Sequence, residues 1–288
     1  MFEQASIAVV VPARNVRHWL GRVLDTMPAF VDHVVVVDDG SHDGTAELAR
    51  GRAGPWRLSV VRHPERRGVG AAIVRGYAEA RALGADVLAV MAGDGQMCPD
   101  DLVRVVRPVA WGQADYVKGN RLGYALLWST LAPRRLLGTI VLSALTSLAT
   151  GVRVRDSQCG YTALAAAALD RLDLSLLWRG YGYPNDLIAA AARAGLRVVE
   201  VPVRPVYCGQ PSGLRPWHAA SIGFVIARAG LRRACFAARR RFTGAAPGGG
   251  RQPWPGDGRS TPRPPGTPRP PAPAHRRAAP GVPPRANA

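Results

Sequence analysis

The segment His33-Val34-Val35-Val36-Val37-Asp38-Asp39-Gly40-Ser41 decides the fold. Its valine run has no polar alternation, as expected of a strand covered on both faces in a parallel sheet. The abrupt change to Asp38-Asp39-Gly40-Ser41 makes a polar turn at the strand's carboxyl end. Runs of the same kind occur at 7–11, 58–62 and 87–91, with further candidates at 116–118 and 197–201. Helical patterns fall between them at 16–27, 45–50, 69–83 and 99–109, the last with Pro99 at its first position. Strands alternating with helices predict successive βα units, and so an α/β class with a Rossmann-like, mainly parallel sheet carrying helices on both faces.

Composition predicts three regions. With 288 residues, 47% of them hydrophobic, the chain can build a substantial core, and residues 1–216 form the expected α/β domain. Residues 217–243 read as a basic helix suited to an interface, and 244–288 as a disordered tail. That tail is rich in proline, glycine, alanine and arginine, as in Arg263-Pro264-Pro265, and cannot bury enough apolar surface to fold. The formal charge of +18, from 38 basic and 20 acidic residues, calls for an anionic partner: phosphate groups, lipid headgroups or nucleic acid. Nucleic acid is not expected, because no aromatic platforms interleave with the arginines and no module signature appears. Cys98, Cys159, Cys208 and Cys235 have neither paired spacing nor a histidine pattern that completes a zinc site, and read as reduced thiols. Glu3 ahead of the short apolar run 7–11 does not make a signal peptide, so a cytoplasmic location is expected. The uncharged stretches 136–152 and 217–227 fall short of the roughly 20 residues of a membrane span. Arg134, Arg135, Arg153, Arg228, Arg232 and Arg233 close in on them, which suits a helix lying at an interface.

Ligands of a doubly wound sheet collect at the carboxyl ends of its strands. The residues there are Pro12, Arg14 and Asn15, then Asp38 and Asp39, then Gly68 and Gly70, then Asp94 and Gln96, then Asn120 and Arg121. Asp38 or Asp39 is placed to accept hydrogen bonds from ribose hydroxyls or a base edge. The same residues equally make a plain turn, with Asp43 and Gly44 capping the next helix. Asp94 and Gln96, two apart in a glycine-rich loop, can meet one hard cation, Mg2+ or Mn2+, while substrate phosphates fill its other positions. A surface turn is the alternative. Gly68-Val69-Gly70 lacks the third glycine of a dinucleotide fingerprint, where Ile73 stands, and follows the third strand rather than the first. Arg121 is either a clamp on phosphate oxygens or a solvated arginine.

Taken in order, several motifs resemble family 2 glycosyltransferases of the GT-A fold, in particular the polyprenyl-phosphate type typified by dolichol-phosphate mannose synthase. They are Val11-Pro12-Ala13-Arg14-Asn15, the stretch 37–45, Gly68-Val69-Gly70-Ala71-Ala72, Gly93-Asp94-Gly95-Gln96-Met97, Lys118-Gly119-Asn120-Arg121, and Asp156 with Cys159-Gly160-Tyr161-Thr162. The resemblance covers about 9–214. It implies an inverting, metal-dependent transfer of a sugar from a nucleotide diphosphate-sugar to a polyprenyl-phosphate or other lipid-linked acceptor, with peripheral association at the cytoplasmic face of a membrane. By the same resemblance Pro12, Arg14, Asn15, Asp38 and Asp39 line the nucleotide, Asp94 and Gln96 hold Mg2+ or Mn2+, and Arg121 meets the diphosphate. The segment 122–150 would form helices at the membrane surface, with Arg134 and Arg135, together with Asp156, on the acceptor side. An acceptor phosphate is already ionised and needs no general base; Asp186 would serve as the base for a hydroxyl acceptor.

The chain departs from the family at three places: Ala92 replaces an aspartate ahead of Gly93, Val16 replaces a glutamate after Asn15, and Gly213 stands where a basic residue is usual, with Arg204 and Arg215 as nearby substitutes. Two alternative functions stand beside the lipid-linked one, the second of them motivated by Ala92 and Val16. One is a soluble GT-A transferase acting on a small hydroxyl acceptor; the other is a catalytically weakened nucleotide-sugar-binding protein.

Overall fold

The computed structural model describes residues 2–124, 133–206 and 216–243. Its seven strands are β1 (Ile7–Ala13), β2 (His33–Asp38), β3 (Arg57–Arg62), β4 (Val87–Val90), β5 (Tyr116–Asn120), β6 (Thr162–Ala165) and β7 (Val198–Pro202). They form one sheet in the order β3-β2-β1-β4-β6-β5-β7. Every residue of β2 and β4 is buried, and all of β1 except Pro12. This explains the missing alternation, because both faces of these strands are covered; β3, at the sheet's edge, has no buried residue, so the same expectation fails for the run 58–62. Val34 to Val37 are fully buried, each contributing roughly 1.5–3 kcal/mol by the usual area relation.

All pairs in the sheet are parallel except those of β6, which runs antiparallel between β4 and β5. Its sequence, Thr162-Ala163-Leu164-Ala165, is too short and alanine-rich to announce a strand, and only its place between β4 and β5 makes it one. The other strands lie where the sequence puts them, within a residue or two at each end.

The helices are α1 (Arg17–Asp25), α2 (Thr45–Arg50), α3 (Val69–Ala82), α4 (Leu102–Ala110), α5 (Pro133–Thr150), α6 (Tyr183–Arg193) and α7 (Pro216–Thr243). The helix expected from Pro99 begins as a 3-10 turn, Pro99–Asp101, before α4 proper. Helix α3 lies on β1, β2 and β4, and it approaches so closely that a Cβ on Gly76 would stand 2.2 Å from Val10 Cγ1. Helices α5, α6 and α7 pack on one another.

The polarity of α5 is inverted. Ser143, Thr146 and Thr150 are buried, whereas Leu137, Val141, Leu145 and Leu148 are exposed, Leu148 to 77%. The buried hydroxyls are satisfied by the helix's own carbonyls and by neighbours: Ser143 Oγ accepts from Ser157 N at 2.9 Å and Thr146 Oγ1 donates to Asn185 Oδ1 at 2.9 Å. The leucines recur at helical spacing on one side. Phe224 and Leu231 on α7 are likewise exposed. Among the described residues, no helix is long and apolar enough to cross a membrane. The described residues fall in the unit Met1–Gly249. The expected disordered tail, 244–288, lies outside the described residues, as do Gly213 and Arg215.

Candidate active site

The carboxyl ends of β1 and β2 are joined by side chains. Asn15, with a left-handed φ of 51°, donates its N–H to Ser41 Oγ at 2.9 Å and accepts at Oδ1 from His42 N at 3.0 Å. Val16 N donates to Thr45 Oγ1 at 3.1 Å. Pro12 is half-buried beside this junction, and Arg14 is exposed. Asp38 accepts from Ser41 N at 2.9 Å, and Arg62 Nε lies 3.3 Å from its other oxygen. Asp39 accepts from Arg67 N at 2.7 Å and Gly68 N at 2.8 Å, and pairs with His63 Nδ1 at 2.9 Å. Burial pushes the Asp39 carboxyl up, but the hydrogen bonds from His63, Arg67 and Gly68 outweigh it and hold the group below its ordinary value. Asp43 accepts from Thr45 N at 3.0 Å, ahead of α2. The carboxylates therefore do build the turn, and an ionised carboxylate with about four acceptor positions still has capacity for a ligand.

Gly68-Val69-Gly70 is a site of close approach between chain segments. Gly70 N donates to Arg179 O at 2.8 Å. A Cβ on Gly68 would stand 2.3 Å from Arg179 O, and one on Gly70 would stand 2.1 Å from Trp178 O. Both obstacles are backbone, so Gly70→Ala should destabilise the protein by about 1–3 kcal/mol, as overpacked cores do. Chemical denaturation reads this as a lower midpoint; an unchanged midpoint would mean that the 178–179 segment yields freely.

The loop after β4 holds Asp94 and Gln96. Gly93 N donates to Pro12 O at 3.1 Å, and a Cβ on Gly93 would meet Val16 Cγ2 at 3.2 Å, so Val16 packs against the loop. Gly95 turns the chain with φ 74°, and Gln96 N donates to Asp94 Oδ1 at 3.1 Å. Burial pushes the Asp94 carboxyl up from its ordinary value despite that bond. Among the described residues no three His, Cys, Asp or Glu side chains converge as a metal cage. One half-buried carboxylate with an amide two residues on is instead the donor set of a Mg2+ or Mn2+ site completed by substrate phosphates and water, and the two residues fit that role.

At the end of β5, Arg121 and Asp156 form a bidentate pair. Arg121 Nε donates to Asp156 Oδ2 at 2.7 Å, Nη2 to Oδ1 at 3.0 Å, and the Arg121 N–H to Oδ2 at 3.1 Å. Asp156 has no exposed surface, whereas the Arg121 side chain keeps 24%. Burial pushes the Asp156 carboxyl up, but the Arg121 guanidinium and Lys118 pull it further down, and it ends below its ordinary value. Asp156 thus stands behind Arg121 and aims it. Lys118 is fully buried on β5 and donates to the Cys159 carbonyl, and burial lowers its pKa. Glu200 on β7 accepts from the N–H groups of Arg155 and Asp156. Sequence reasoning noted Lys118 within a motif but gave neither it nor Glu200 a role. The signal was a lysine within a strand of an otherwise buried sheet, where a charge persists only with partners.

Tyr161 Oη donates to Cys98 O at 3.0 Å, tying the start of β6 to the β4 loop. A Cβ on Gly160 would meet Tyr183 Oη at 2.9 Å, which brings α6 to the same place. Asp186, in the first turn of α6, is buried. It accepts from Trp178 N at 2.8 Å and from Arg228 Nη2 of α7 at 2.6 Å. Its carboxylate is thus committed to binding α7 and the 178 segment. Arg134 and Arg135 fall in the first turn of α5, and their side chains lie outside the described residues.

A mostly parallel sheet, carboxylates at the ends of β2 and β4 and an oriented arginine at the end of β5 define a GT-A-type nucleotide-sugar fold. The model of glycosyl transferase family 2 matches residues 8–170, and the chain belongs to that family. It is 27% identical over 215 residues to UDP-N-acetylglucosamine--dolichyl-phosphate N-acetylglucosaminyltransferase of Methanococcus voltae, covering 70% of this chain and 86% of that one. It is 35% identical over 205 residues to polyprenol monophosphomannose synthase of Mycolicibacterium smegmatis, covering 68% and 75%. Among solved structures it is similar to glucosyl-3-phosphoglycerate synthase from Mycobacterium tuberculosis in complex with Mn2+, UDP and phosphoglyceric acid. The TM-score is 0.59 at 21% identity, over 80% of this chain and 78% of that one, a likeness of fold.

Proposed function

We propose that this chain transfers a sugar, with inversion, from a nucleotide diphosphate-sugar to the phosphate of a polyprenol at a membrane surface. The observation that carries the lipid acceptor is the inverted helix α5, which follows Arg121 in the chain and turns leucines outward and hydroxyls inward. A soluble enzyme has no use for such a face; a protein resting on acyl chains does. The names of the relatives from Methanococcus voltae and Mycolicibacterium smegmatis support the same acceptor class.

The acceptor's phosphate oxygen attacks the anomeric carbon as the bond from that carbon to the donor's β-phosphate oxygen breaks, and the nucleoside diphosphate leaves. The attacking oxygen is already anionic, so no proton has to be removed. Asp186 is accordingly free to serve as a tie between α6 and α7, which weakens the case for a hydroxyl acceptor. Asn15, Asp38 and Asp39 line the nucleotide with Pro12 and Arg14. Arg121, aimed by Asp156, presents its guanidinium to phosphate oxygens. Arg134 and Arg135, at the positive end of α5, meet the acceptor phosphate. A divalent metal held by Asp94 and Gln96 would supply Lewis-acid neutralisation of the departing diphosphate. Association with the membrane is peripheral.

The test is transfer of labelled sugar to polyprenyl phosphate in vesicles, comparing the natural chain with a Leu145→Glu, Leu148→Glu variant. Each leucine contributes roughly 1.5–3 kcal/mol when its side chain enters an apolar phase. The variant should therefore lose vesicle sedimentation and most transfer while keeping its melting temperature and its donor binding. Full transfer to the lipid by the variant would sink the membrane-face reading.

A further inference from the structure

A second concentration of positive charge lies over α3, outside the donor pocket. A groove of about 910 Å³ is lined there by Gly70, Ala71, Val74, Arg75 and Ala78 of α3, and by the segments 61–67 and 174–179. The α3 residues recur at helical spacing, so they form one side of the helix, and their small side chains leave room above it. Leu174 and Leu177 add apolar surface from the facing segment. Arg62, Arg66, Arg67, Arg75 and Arg179 all line the groove, and among the described residues Glu65 supplies its only carboxylate.

Three of the five guanidinium groups are unspent. Arg62 is committed to Asp38 at 3.3 Å, Glu47 at 3.0 Å and the Ser41 carbonyl at 2.8 Å, and Arg75 has Glu79 at 3.7 Å. The guanidinium groups of Arg66, Arg67 and Arg179 have no carboxylate or hydrogen-bond partner among the described residues. Several guanidinium groups facing one concavity hold a positive potential that self-repulsion disfavours unless an anion joins them. Planar guanidinium forks match phosphate oxygens best. Asn15, Asp94, Gln96 and Arg121 do not line the groove, so the anion held there is not the donor's diphosphate. At one end Arg179 follows Trp178, whose ring centre lies 5.9 Å from that of the exposed Phe224 on α7.

We propose that this groove is a second anion site, taking a phosphate-bearing ligand distinct from the sugar donor. The shared chemistry is a phosphate group with a short apolar attachment, supplied either by an anionic lipid headgroup or by a free phosphate compound.

Arginine modification by phenylglyoxal, read residue by residue by mass spectrometry on the full chain, tests it. One arm adds inorganic pyrophosphate; a second adds vesicles of phosphatidylcholine with phosphatidylglycerol; pure phosphatidylcholine vesicles are the control. At about ten times the dissociation constant, Arg66, Arg75 and Arg179 should react about tenfold more slowly. Arg107, exposed on α4 beside Trp111 and outside the groove, should keep its rate. Protection by pyrophosphate assigns a free phosphate ligand, and protection by the anionic vesicles alone assigns a headgroup. The triple variant Arg66→Ala, Arg75→Ala, Arg179→Ala removes exposed side chains, so it should keep its melting temperature and lose the protecting ligand's binding. Three results overturn the proposal: no protection beyond that of Arg107 in either arm, equal protection by pure phosphatidylcholine, or undiminished binding by the triple variant.

Discussion

Replacing Asp156 by alanine is expected to lower stability by about 3–5 kcal/mol, the range seen when one member of a buried ion pair is removed. Asp156 has no exposed surface and holds Arg121 by three hydrogen bonds, with the fully buried Lys118 close by. Alanine removes the carboxylate that faces both cations, while Lys118 keeps its bond to the Cys159 carbonyl. In a domain of this size the midpoint temperature should fall by on the order of 10 °C. Acid titration supplies the sign. The folded pKa of Asp156 lies below its unfolded value of about 3.9. Its contribution is therefore present above that value and lost as the pH falls through the folded one. Asp156→Asn, which keeps the shape, should flatten that acid limb while also slowing transfer, because Arg121 is no longer aimed. If the alanine variant melts within about 1 kcal/mol of the natural chain, water reaches Arg121 and Lys118 and the pair is not the anchor described here.

The parallel half of the sheet was legible because its physics is local. A valine run such as 34–37 with a polar turn behind it has few other uses, and strands β1 to β4 coincide with the apolar runs. Strand β6 was not legible: Thr162-Ala163-Leu164-Ala165 becomes a strand only because β4 and β5 leave a slot between them. Helix α6 escaped for a related reason, since its alanines have no amphipathic pattern to display when nearly every position is buried.

The candidate site was legible in its residue types but not in its pairings. Reading the carboxyl ends of strands found Asn15, Asp38, Asp39, Asp94 and Arg121 in one region of the sheet. What no spacing could tell is that Arg121 and Asp156, thirty-five positions apart, form a single bidentate unit, or that Asp186 is held by Arg228 from the far end of the chain. Those are long-range choices made by folding. The Gly68-Val69-Gly70 motif shows the reverse case. A phosphate loop and a tight backbone crossing use the same residue for the same steric reason, and only the positions of the Trp178 and Arg179 carbonyls separate them here.

Replacing Asp94 by alanine should remove activity by about 10²–10³-fold or more, the scale lost with one group that stabilises developing charge. It should do so without weakening the fold. The carboxylate is half-buried, and burial raises its pKa, so at neutral pH the ionised group opposes folding rather than assisting it. The sign is the opposite of that for Asp156, and it separates a residue kept for chemistry from one kept for structure. Two measurements read the difference. Thermal melting without ligands should show Asp94→Ala equal to or more stable than the natural chain. With Mn2+ and a nucleoside diphosphate at about a hundred times their dissociation constant, the natural chain should gain about 2.7 kcal/mol and the variant much less. With Ala92 two positions before it, Asp94 is the only carboxylate of the loop 91–98, so no loop neighbour can take over its role. A variant that melts several degrees lower and loses activity in proportion would make Asp94 a structural residue; one that keeps both activity and metal-linked stabilisation would move the diphosphate site away from the β4 loop altogether.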